Sequence, residues 1–241
     1  MSKKILIYGG NSLISKELIK IFNKEEYDFI IFCRKAEMFL DTVSSLNIEK
    51  KKFEIFEAEL EDLDKNLKLI SELKNNIDGV IWVAGYTGDP SEEFKDTRLC
   101  ENNIKVNFLH PVLIINKILT KINLSQNSFL AVITSVAGLR GRAKNIYYGS
   151  AKSALISFLS GLRQKLNGKI NVLTIIPGYI ETKSFKEKAP KFLISSPEKT
   201  AQIIFKSIKQ KKEIVYINFI WRIIMFLIKL IPEKVYKKMK F

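Results

Sequence analysis

The chain has 241 residues, of which 46% are hydrophobic, and its formal net charge at pH 7 is +15. This length and apolar content suit one sizeable hydrophobic core, so we expect a single catalytic domain followed by a specialised tail. Only two cysteines, Cys33 and Cys100, and one histidine, His110, are present, which excludes a disulfide framework and disfavours metal sites and histidine-based triads.

The net positive charge bears on the binding partners of the protein, and the amino-terminal sequence bears on its cellular compartment. The excess of basic residues could serve nucleic acid, anionic lipid or a phosphorylated substrate, and the count alone does not choose among them. Basic residues with interleaved aromatic residues occur only near the carboxyl end, so nucleic-acid binding is disfavoured. The first apolar run, residues 5–8, is too short for the apolar region of a signal peptide, and we expect a cytoplasmic protein.

Short β-rich runs alternate with amphipathic helical stretches along most of the chain. The predicted strands are residues 5–8, 29–33, 53–56, 80–83, 129–134, 170–176 and 214–217. Helical patterns begin near Leu13, Ala36, Asp62, Asn103, Tyr147 and Pro197. This alternation predicts an α/β fold, a Rossmann-like doubly wound parallel sheet of about seven strands with helices on both faces. We assign it to residues 1–218, and residues 219–241 to an amphipathic basic tail.

The first predicted strand runs into a small-residue turn, Gly9-Gly10-Asn11-Ser12-Leu13-Ile14-Ser15, after which a helix begins. Such a turn lets backbone N–H groups and the helix dipole face a pyrophosphate. The candidate cofactor contacts here are Gly9, Asn11, Ser12, Leu13 and Ile14. Only two glycines are present, so the turn alone does not separate a dinucleotide site from an ordinary connection.

Two cations follow the second predicted strand, where an NAD site normally offers a carboxylate to the ribose 2′-hydroxyl. Arg34 and Lys35 at this place suit a 2′-phosphate, so we predict NADPH rather than NADH. The alternative is a solvated basic loop, which the position within the βαβ unit disfavours.

The strand over residues 129–134 ends in Ser135, and Tyr148 and Lys152 follow four residues apart on a predicted helix. Residues with this spacing lie on one helix face, so both side chains can point into a cleft at the carboxyl ends of the strands. A free tyrosine has a pKa of about 10, and a nearby ammonium favours the phenolate, which would lower that pKa. Tyr147 competes as proton donor, but Ala151 four residues later supplies no cation.

In these motifs the chain resembles the short-chain dehydrogenase/reductase family over nearly all of its first 218 residues. The ordered elements are the turn at Gly9, Val83-Ala84-Gly85, Asn107, Ser135, the Tyr148/Lys152 pair, and the run from Pro177 to Thr182. One Tyr-x-x-x-Lys pattern is a common accident, whereas the same pair in order with five further elements at such intervals is not.

The resemblance implies roles for these residues. Ser135 would hydrogen-bond a substrate carbonyl, Tyr148 would donate its proton, and Lys152 would bind the nicotinamide ribose and lower the tyrosine pKa. Asn107 would hold a water in the proton relay. Further cofactor contacts would come from Ala84, Gly85, Pro177, Gly178, Ile180 and Thr182. Family members are commonly dimers or tetramers, so we expect a homo-oligomer.

Each of these positions also has a purely structural interpretation. Ser135 could simply end a strand, Asn107 could be a polar helix residue, and Pro177-Gly178 is a common stop signal. The order of the whole set favours the functional interpretation.

The tail begins with an apolar stretch, residues 219–231, interrupted only by Arg222 and Lys229. As a helix it would span only about 20 Å, short of a hydrocarbon core of about 30 Å, so it should not cross a bilayer. We predict that it lies in the membrane interface with Trp221 and Phe226 in the apolar part. The lysines predicted to face anionic lipid are Lys234, Lys237, Lys238 and Lys240. The alternative is a helix packed on the core as a dimer contact or a lid.

The substrate is open at this point. The turn after Gly9, the Val83-Ala-Gly-Tyr-Thr-Gly-Asp89 loop and the basic tail resemble the family branch that includes the reductase half of decaprenylphosphoryl-ribose 2-epimerase. That resemblance implies a 2-keto sugar on a polyprenyl phosphate, a flavin oxidase partner and cell-envelope polysaccharide synthesis. The alternatives are reduction of 3-oxoacyl, steroid or other apolar ketones, and a cofactor-binding scaffold without turnover.

Overall fold

A computed structural model of the chain describes residues 3–74, 76–182 and 189–239. The seven predicted strands are confirmed and form one parallel sheet. These strands are β1 (Lys3–Tyr8), β2 (Tyr27–Cys33), β3 (Phe53–Glu57), β4 (Gly79–Trp82), β5 (Phe129–Ile133), β6 (Asn171–Ile176) and β9 (Ile214–Tyr216). A separate short parallel pair consists of β7 (Tyr179–Ile180) and β8 (Ile194–Ser195).

The strand order β3-β2-β1-β4-β5-β6-β9 is that of a doubly wound sheet, and it reverses direction between β1 and β4. A reversal of this kind opens a crevice outside the carboxyl ends of the strands, where ligands bind in such sheets. All the loops that carry the predicted site residues leave the sheet at this edge.

Ten α-helices appear in the described residues. They are α1 (Leu13–Lys24), α2 (Ala36–Ser45), α3 (Leu63–Glu72), α4 (Pro90–Glu93), α5 (Thr97–Ile104), α6 (His110–Leu119), α7 (Ile146–Lys165), α8 (Pro197–Lys209), α9 (Ile220–Leu230) and α10 (Glu233–Tyr236). The predicted starts are confirmed to within one residue, except near Asn103. That helix begins at Thr97 because the Asp96 side chain accepts a hydrogen bond from the Arg98 N–H at 2.9 Å and caps it.

Alternate residues of the central strands face opposite sides of the sheet and build two cores. Ile5 and Ile7 of β1 pack with α1, α2 and α8, while Leu6 and Tyr8 pack with α3, α6 and α7. These side chains are all at most 2% exposed, so the sheet is covered on both faces as predicted. Within the described ranges, no helix has the length and hydropathy needed to span a bilayer.

Helix α9, the first helix of the tail, packs against the carboxyl edge of the sheet. Trp221 and Met225 are buried there with Val136 and Ile176 in a small third core. Tyr236 of α10 is also buried, and its hydroxyl donates to the Gly141 carbonyl at 2.7 Å. The described part of the tail is therefore docked on the domain, and Lys240 lies outside the described residues.

Candidate active site

The turn after β1 has a backbone that requires glycine. Gly9 adopts a φ of +103°, and a Cβ atom on it would lie 2.8 Å from the backbone nitrogen of Ala84. The Ser15 hydroxyl donates a 2.8 Å hydrogen bond to the Gly9 carbonyl and ties the turn to α1. The chain after β1 thus touches the chain after β4 at the strand-order reversal.

Helix α1 begins directly at this turn. The Ser12 hydroxyl accepts a hydrogen bond from the Ile14 N–H at 3.2 Å and caps the helix, while Leu13 is 36% exposed at its first position. The amino end of α1 lies beside the crevice, where unpaired N–H groups and the helix dipole favour an anion.

Asn11 joins this turn to the loop that carries the two predicted phosphate-binding cations. Its side-chain amide donates to the Lys35 carbonyl at 3.0 Å, and its oxygen accepts from the Lys35 N–H at 3.1 Å. Arg34 and Lys35 are exposed, and neither forms an ion pair in the described part of the chain. Both cations are therefore available to an anionic ligand.

Ser135 and Tyr148 meet at the carboxyl edge. Ser135 follows β5 and accepts a hydrogen bond from the Ala137 N–H at 3.1 Å, which begins a short 3₁₀ turn. Tyr148 lies beside this turn on α7, where a Cβ atom on the next residue, Gly149, would be 2.9 Å from the Ala137 carbonyl oxygen, and the Ser135 side chain is near enough to oppose a rise in the tyrosine pKa. A Cβ atom on Gly138 would lie only 2.7 Å from the Lys152 carbonyl carbon, so the turn packs directly on the backbone of α7. This contact fixes the serine relative to the tyrosine.

Lys152 lies one turn further along α7 and is 2% exposed. Its Nζ atom is 5.6 Å from the Tyr148 ring centroid, and a Cβ atom on Gly85 would be 3.1 Å from that nitrogen. Burial lowers the pKa of Lys152 to about 8. No carboxylate pairs with it among the described residues, so this ammonium is buried without a counter-ion.

The pKa of Tyr148 departs from the expectation. Burial raises it, while the nearby Ser135 side chain and the positive charge of Arg142 oppose that rise. The sequence predicts a lowered pKa because of Lys152, but in the protein alone the loss of hydration outweighs the favourable contacts. Tyr148 is consequently protonated at neutral pH.

Tyr147 points elsewhere. Burial raises the pKa of Tyr147, and its neighbours Cys100 and Glu93 raise that pKa further, whereas Ser135 does not act on it. The two neighbouring tyrosines of α7 thus have different surroundings, and of the two it is Tyr148 whose pKa is influenced by Ser135.

Asn107 is completely buried in a π-helical turn, Lys105–Leu109, between α5 and α6. Its amide nitrogen donates to the Tyr86 carbonyl at 2.6 Å and to the Asn103 side-chain oxygen at 2.8 Å. Its own oxygen accepts from the Tyr86 N–H at 3.1 Å. The side chain therefore holds the loop after β4 against Lys152, in a wide turn of a type frequent at functional sites.

The segment after β6 closes the crevice on the far side. The Val136 N–H donates to the Pro177 carbonyl at 2.9 Å, which joins this segment to the Ser135 turn. Ile180 lies in β7, and Thr182 is half-buried at the limit of the described range.

Trp221 is placed differently from the prediction. The indole is 6% exposed, its Nε1 donates to the Leu193 carbonyl at 3.0 Å, and it fills the space beside Gly178 so fully that a Cβ there would overlap it. The prediction that Trp221 faces lipid is wrong, because its indole has this closer apolar site. Phe226 is 62% exposed, as that prediction requires.

Arg140 is a site-adjacent residue that the sequence does not reveal. Its Nη1 donates to the carbonyls of Ile228, Lys229 and Ile231 at 3.0, 3.0 and 2.9 Å, at the end of α9 where helix carbonyls lack intrahelical partners in the next turn. Its Nη2 pairs with Glu233 at 2.9 Å. Arg140 is five residues after Ser135, so the tail is fastened to the predicted catalytic loop, and nothing local in the sequence signals a partner so distant.

Comparison with known proteins agrees with this geometry. The profile of the short chain dehydrogenase family matches residues 3–192. The uncharacterized oxidoreductase Rv2073c of Mycobacterium tuberculosis is 25% identical over 240 residues, which cover 98% of this chain and 96% of that protein. The 3-oxoacyl-(acyl-carrier-protein) reductase FabG of Aggregatibacter actinomycetemcomitans is 29% identical over 203 residues, covering 79% and 81%.

Solved structures share the fold at low identity. A short chain dehydrogenase from Burkholderia cenocepacia in complex with NADP superposes with a TM-score of 0.82 at 14% identity, over 98% of this chain and 97% of that one. A glucose/ribitol dehydrogenase from Brucella melitensis gives 0.77 at 19% identity, over 89% and 95%.

Proposed function

The chain belongs to the short-chain dehydrogenase/reductase family, and from this premise we propose that it is an NADPH-dependent reductase of a ketone. The observation that carries the proposal is the placement of Tyr148 on α7 beside the packed Ser135 turn, with the Nζ atom of the buried Lys152 5.6 Å from its ring centroid. A protonated phenol and a second hydroxyl side by side can both donate hydrogen bonds to one carbonyl oxygen. Reduction of a ketone requires this, because that oxygen must receive a proton.

The residues fit the cofactor on three observations. Lys152 is a buried ammonium without a counter-ion, which ribose hydroxyls and a nearby phosphate would solvate. The amino end of α1 and the close approach at Gly9 suit a pyrophosphate. Arg34 and Lys35 would bind the 2′-phosphate, and solved relatives of the same fold hold NADP or NADPH. We therefore assign NADPH rather than NADH.

NADPH, when bound, supplies the hydride that the ketone carbon takes up. The Ser135 hydroxyl donates a hydrogen bond to the ketone oxygen and orients it. Tyr148 gives its proton to that oxygen as negative charge develops there, which completes the alcohol. Lys152 stabilises the resulting phenolate, and Asn107 keeps the loop after β4 in place beside Lys152, where it would also hold a water for proton return.

The proposed substrate is a 2-keto sugar linked to a polyprenyl phosphate. Three features support it: the variant turn after Gly9, the loop from Val83 to Asp89, and an apolar helix with basic residues beside the crevice. Such a substrate would require a flavin oxidase partner to form the ketone. It also implies a cytoplasmic protein held peripherally at the inner face of the membrane, where cell-envelope sugars are built. A homo-oligomer is proposed from the family alone.

A second candidate substrate is a 3-oxoacyl thioester. The observation that favours it is the 29% identity to a 3-oxoacyl-(acyl-carrier-protein) reductase over 79% of this chain. The same hydroxyl pair would serve both substrates, so the chemistry of the site does not distinguish them.

Oxidation of NADPH by the purified protein tests the proposal, with a polyprenyl-phosphate 2-keto-pentose and a 3-oxoacyl thioester offered in parallel. Turnover of the keto sugar should fall by about 10²–10⁴-fold in Tyr148→Phe, the range expected for loss of a general acid. Tyr147→Phe is the matched control and should retain activity. Turnover of the thioester alone would replace the substrate proposal, while tight NADPH binding without turnover of any ketone would favour a scaffold role.

A further inference from the structure

The outward face of α9 is apolar and has no partner within the described chain. Trp221 and Met225 turn inward, whereas six apolar residues of the segment are at least 37% exposed. These residues are Phe219, Ile220, Ile223, Phe226, Leu227 and Leu230. We call them the outer face of α9. Solvent exposure of so many large side chains on one short helix is typical of an interaction surface.

Basic residues border this outer face. Arg222 and Lys229 are exposed, lie seven residues apart along one edge of the apolar stripe, and form no ion pair among the described residues. Beyond α9, Lys234, Lys237 and Lys238 are also exposed. Glu233 is the one acidic residue after position 213 in the sequence, and it is paired with Arg140.

A groove of about 480 Å³ runs along the same edge of the helix. Aromatic and aliphatic side chains, among them Phe219, Ile223 and Phe226, line it together with Arg222 and Lys229. The groove therefore offers an apolar floor with cations at its margin, which matches an acyl chain beneath an anionic headgroup.

From these observations we infer that the outer face of α9 docks on a bilayer rich in anionic phospholipid. The apolar stripe enters the boundary between headgroups and acyl chains, and the cations contact the phosphates. A second copy of the chain fits the surface less well, because self-association through this face would bring basic residues together without carboxylates to neutralise them.

Docking in this way sets the orientation of the active site. The start of α9 is held through Trp221 against Gly178, and its end is held by Arg140, close to Ser135. The crevice therefore opens beside the docked helix. This inference deepens the lipid-linked substrate proposed above, because a ketone on a membrane-anchored chain would reach Tyr148 without leaving the bilayer.

Vesicle flotation of the full chain tests the inference without requiring turnover. We expect binding to vesicles of equal parts phosphatidylcholine and phosphatidylglycerol, weak binding to phosphatidylcholine alone, and release as salt is raised. Phe226→Ser with Leu230→Ser should weaken binding at least about tenfold through lost apolar burial. Arg222→Gln with Lys229→Gln should weaken it about thirtyfold at low salt.

Matched controls separate a local effect from a general one. Leu124→Ser removes an apolar side chain that is 62% exposed before β5, at the opposite edge of the sheet. Lys169→Gln removes an exposed charge at that same edge. Both should bind vesicles like the wild type, and unfolding curves of all variants check that the fold is retained.

Failure to float with anionic vesicles, or equal flotation of the Phe226/Leu230 variant, would overturn the inference. A wild-type oligomer that this variant dissociates, without vesicle binding, would assign the face to a second copy instead. A protein that floats yet leaves the keto sugar unreduced would keep the docking surface and remove the proposed substrate.

Discussion

The Trp221 indole of helix α9 occupies the space that a side chain on Gly178 would need. This contact joins the tail to the segment expected to face the nicotinamide. We predict that Gly178→Ala lowers the free energy of unfolding by about 1–3 kcal/mol, as overpacking does, and also reduces NADPH affinity. Denaturant unfolding and NADPH fluorescence titration would measure the two effects.

Gly161→Ala is the control, since a Cβ atom at Gly161 meets nothing within 4 Å and the position lies within α7. It should raise the free energy of unfolding by about 0.5–1 kcal/mol, the usual gain for alanine in a helix. Equal behaviour of the two variants would show that Trp221 does not hold Gly178 in solution.

Arg140 should fix the tail to the loop after Ser135. Its guanidinium lies 4.0 Å from the Tyr236 ring centroid and hydrogen-bonds three carbonyls of the tail. Arg140→Ala should speed amide hydrogen exchange in α9 about tenfold or more, because charged hydrogen bonds of this kind are each worth about 1.5–3 kcal/mol. Arg98→Ala removes an exposed arginine paired only with Asp96 and should leave that exchange unchanged.

The sequence predicts the sheet and the Tyr148–Lys152 pair because both rest on local periodicity. Backbone geometry determines that successive side chains of a strand point to opposite faces of the sheet, and that side chains four residues apart on a helix lie on the same face. The roles of Trp221 and Arg140 depend on contacts between distant segments, which periodicity does not record. The pKa of Tyr148 was predicted in the wrong direction for a related reason, since hydration is a property of the whole cleft.

Arg34 and Lys35 should select the phosphorylated cofactor. Arg34→Ser with Lys35→Ala is expected to lower kcat/KM for NADPH by about 10–100-fold and to leave that for NADH nearly unchanged, since only NADPH carries the 2′-phosphate that they would bind. Lys169→Ala, a charge removed at the opposite edge of the sheet, is the control. An equal decrease of kcat/KM for NADPH and for NADH would show that Arg34 and Lys35 do not bind the 2′-phosphate.

The alkaline limb of the pH profile should report Lys152. Its pKa is lowered to about 8, whereas that of Tyr148 is raised, so the lysine loses its proton first as pH increases. Because kcat/KM for NADPH reflects the free enzyme, we expect it to fall above about pH 8. A profile that stays flat to the pKa of an ordinary lysine would contradict the buried, unpaired ammonium.

The same buried charge should oppose folding. Below about pH 8 Lys152 is charged in the folded and unfolded chain alike, so the full cost of burying it is present. As pH rises from about 8 toward 10.5, the unfolded state binds more protons than the folded state, and this cost disappears.

Lys152→Met should therefore raise the free energy of unfolding near pH 7 by up to about 3 kcal/mol while abolishing reduction. The gain should vanish above pH 10.5, the ordinary lysine value. Urea unfolding without NADPH at the two pH values measures it, and a variant less stable than wild type at neutral pH would show that Lys152 has a counter-ion in solution.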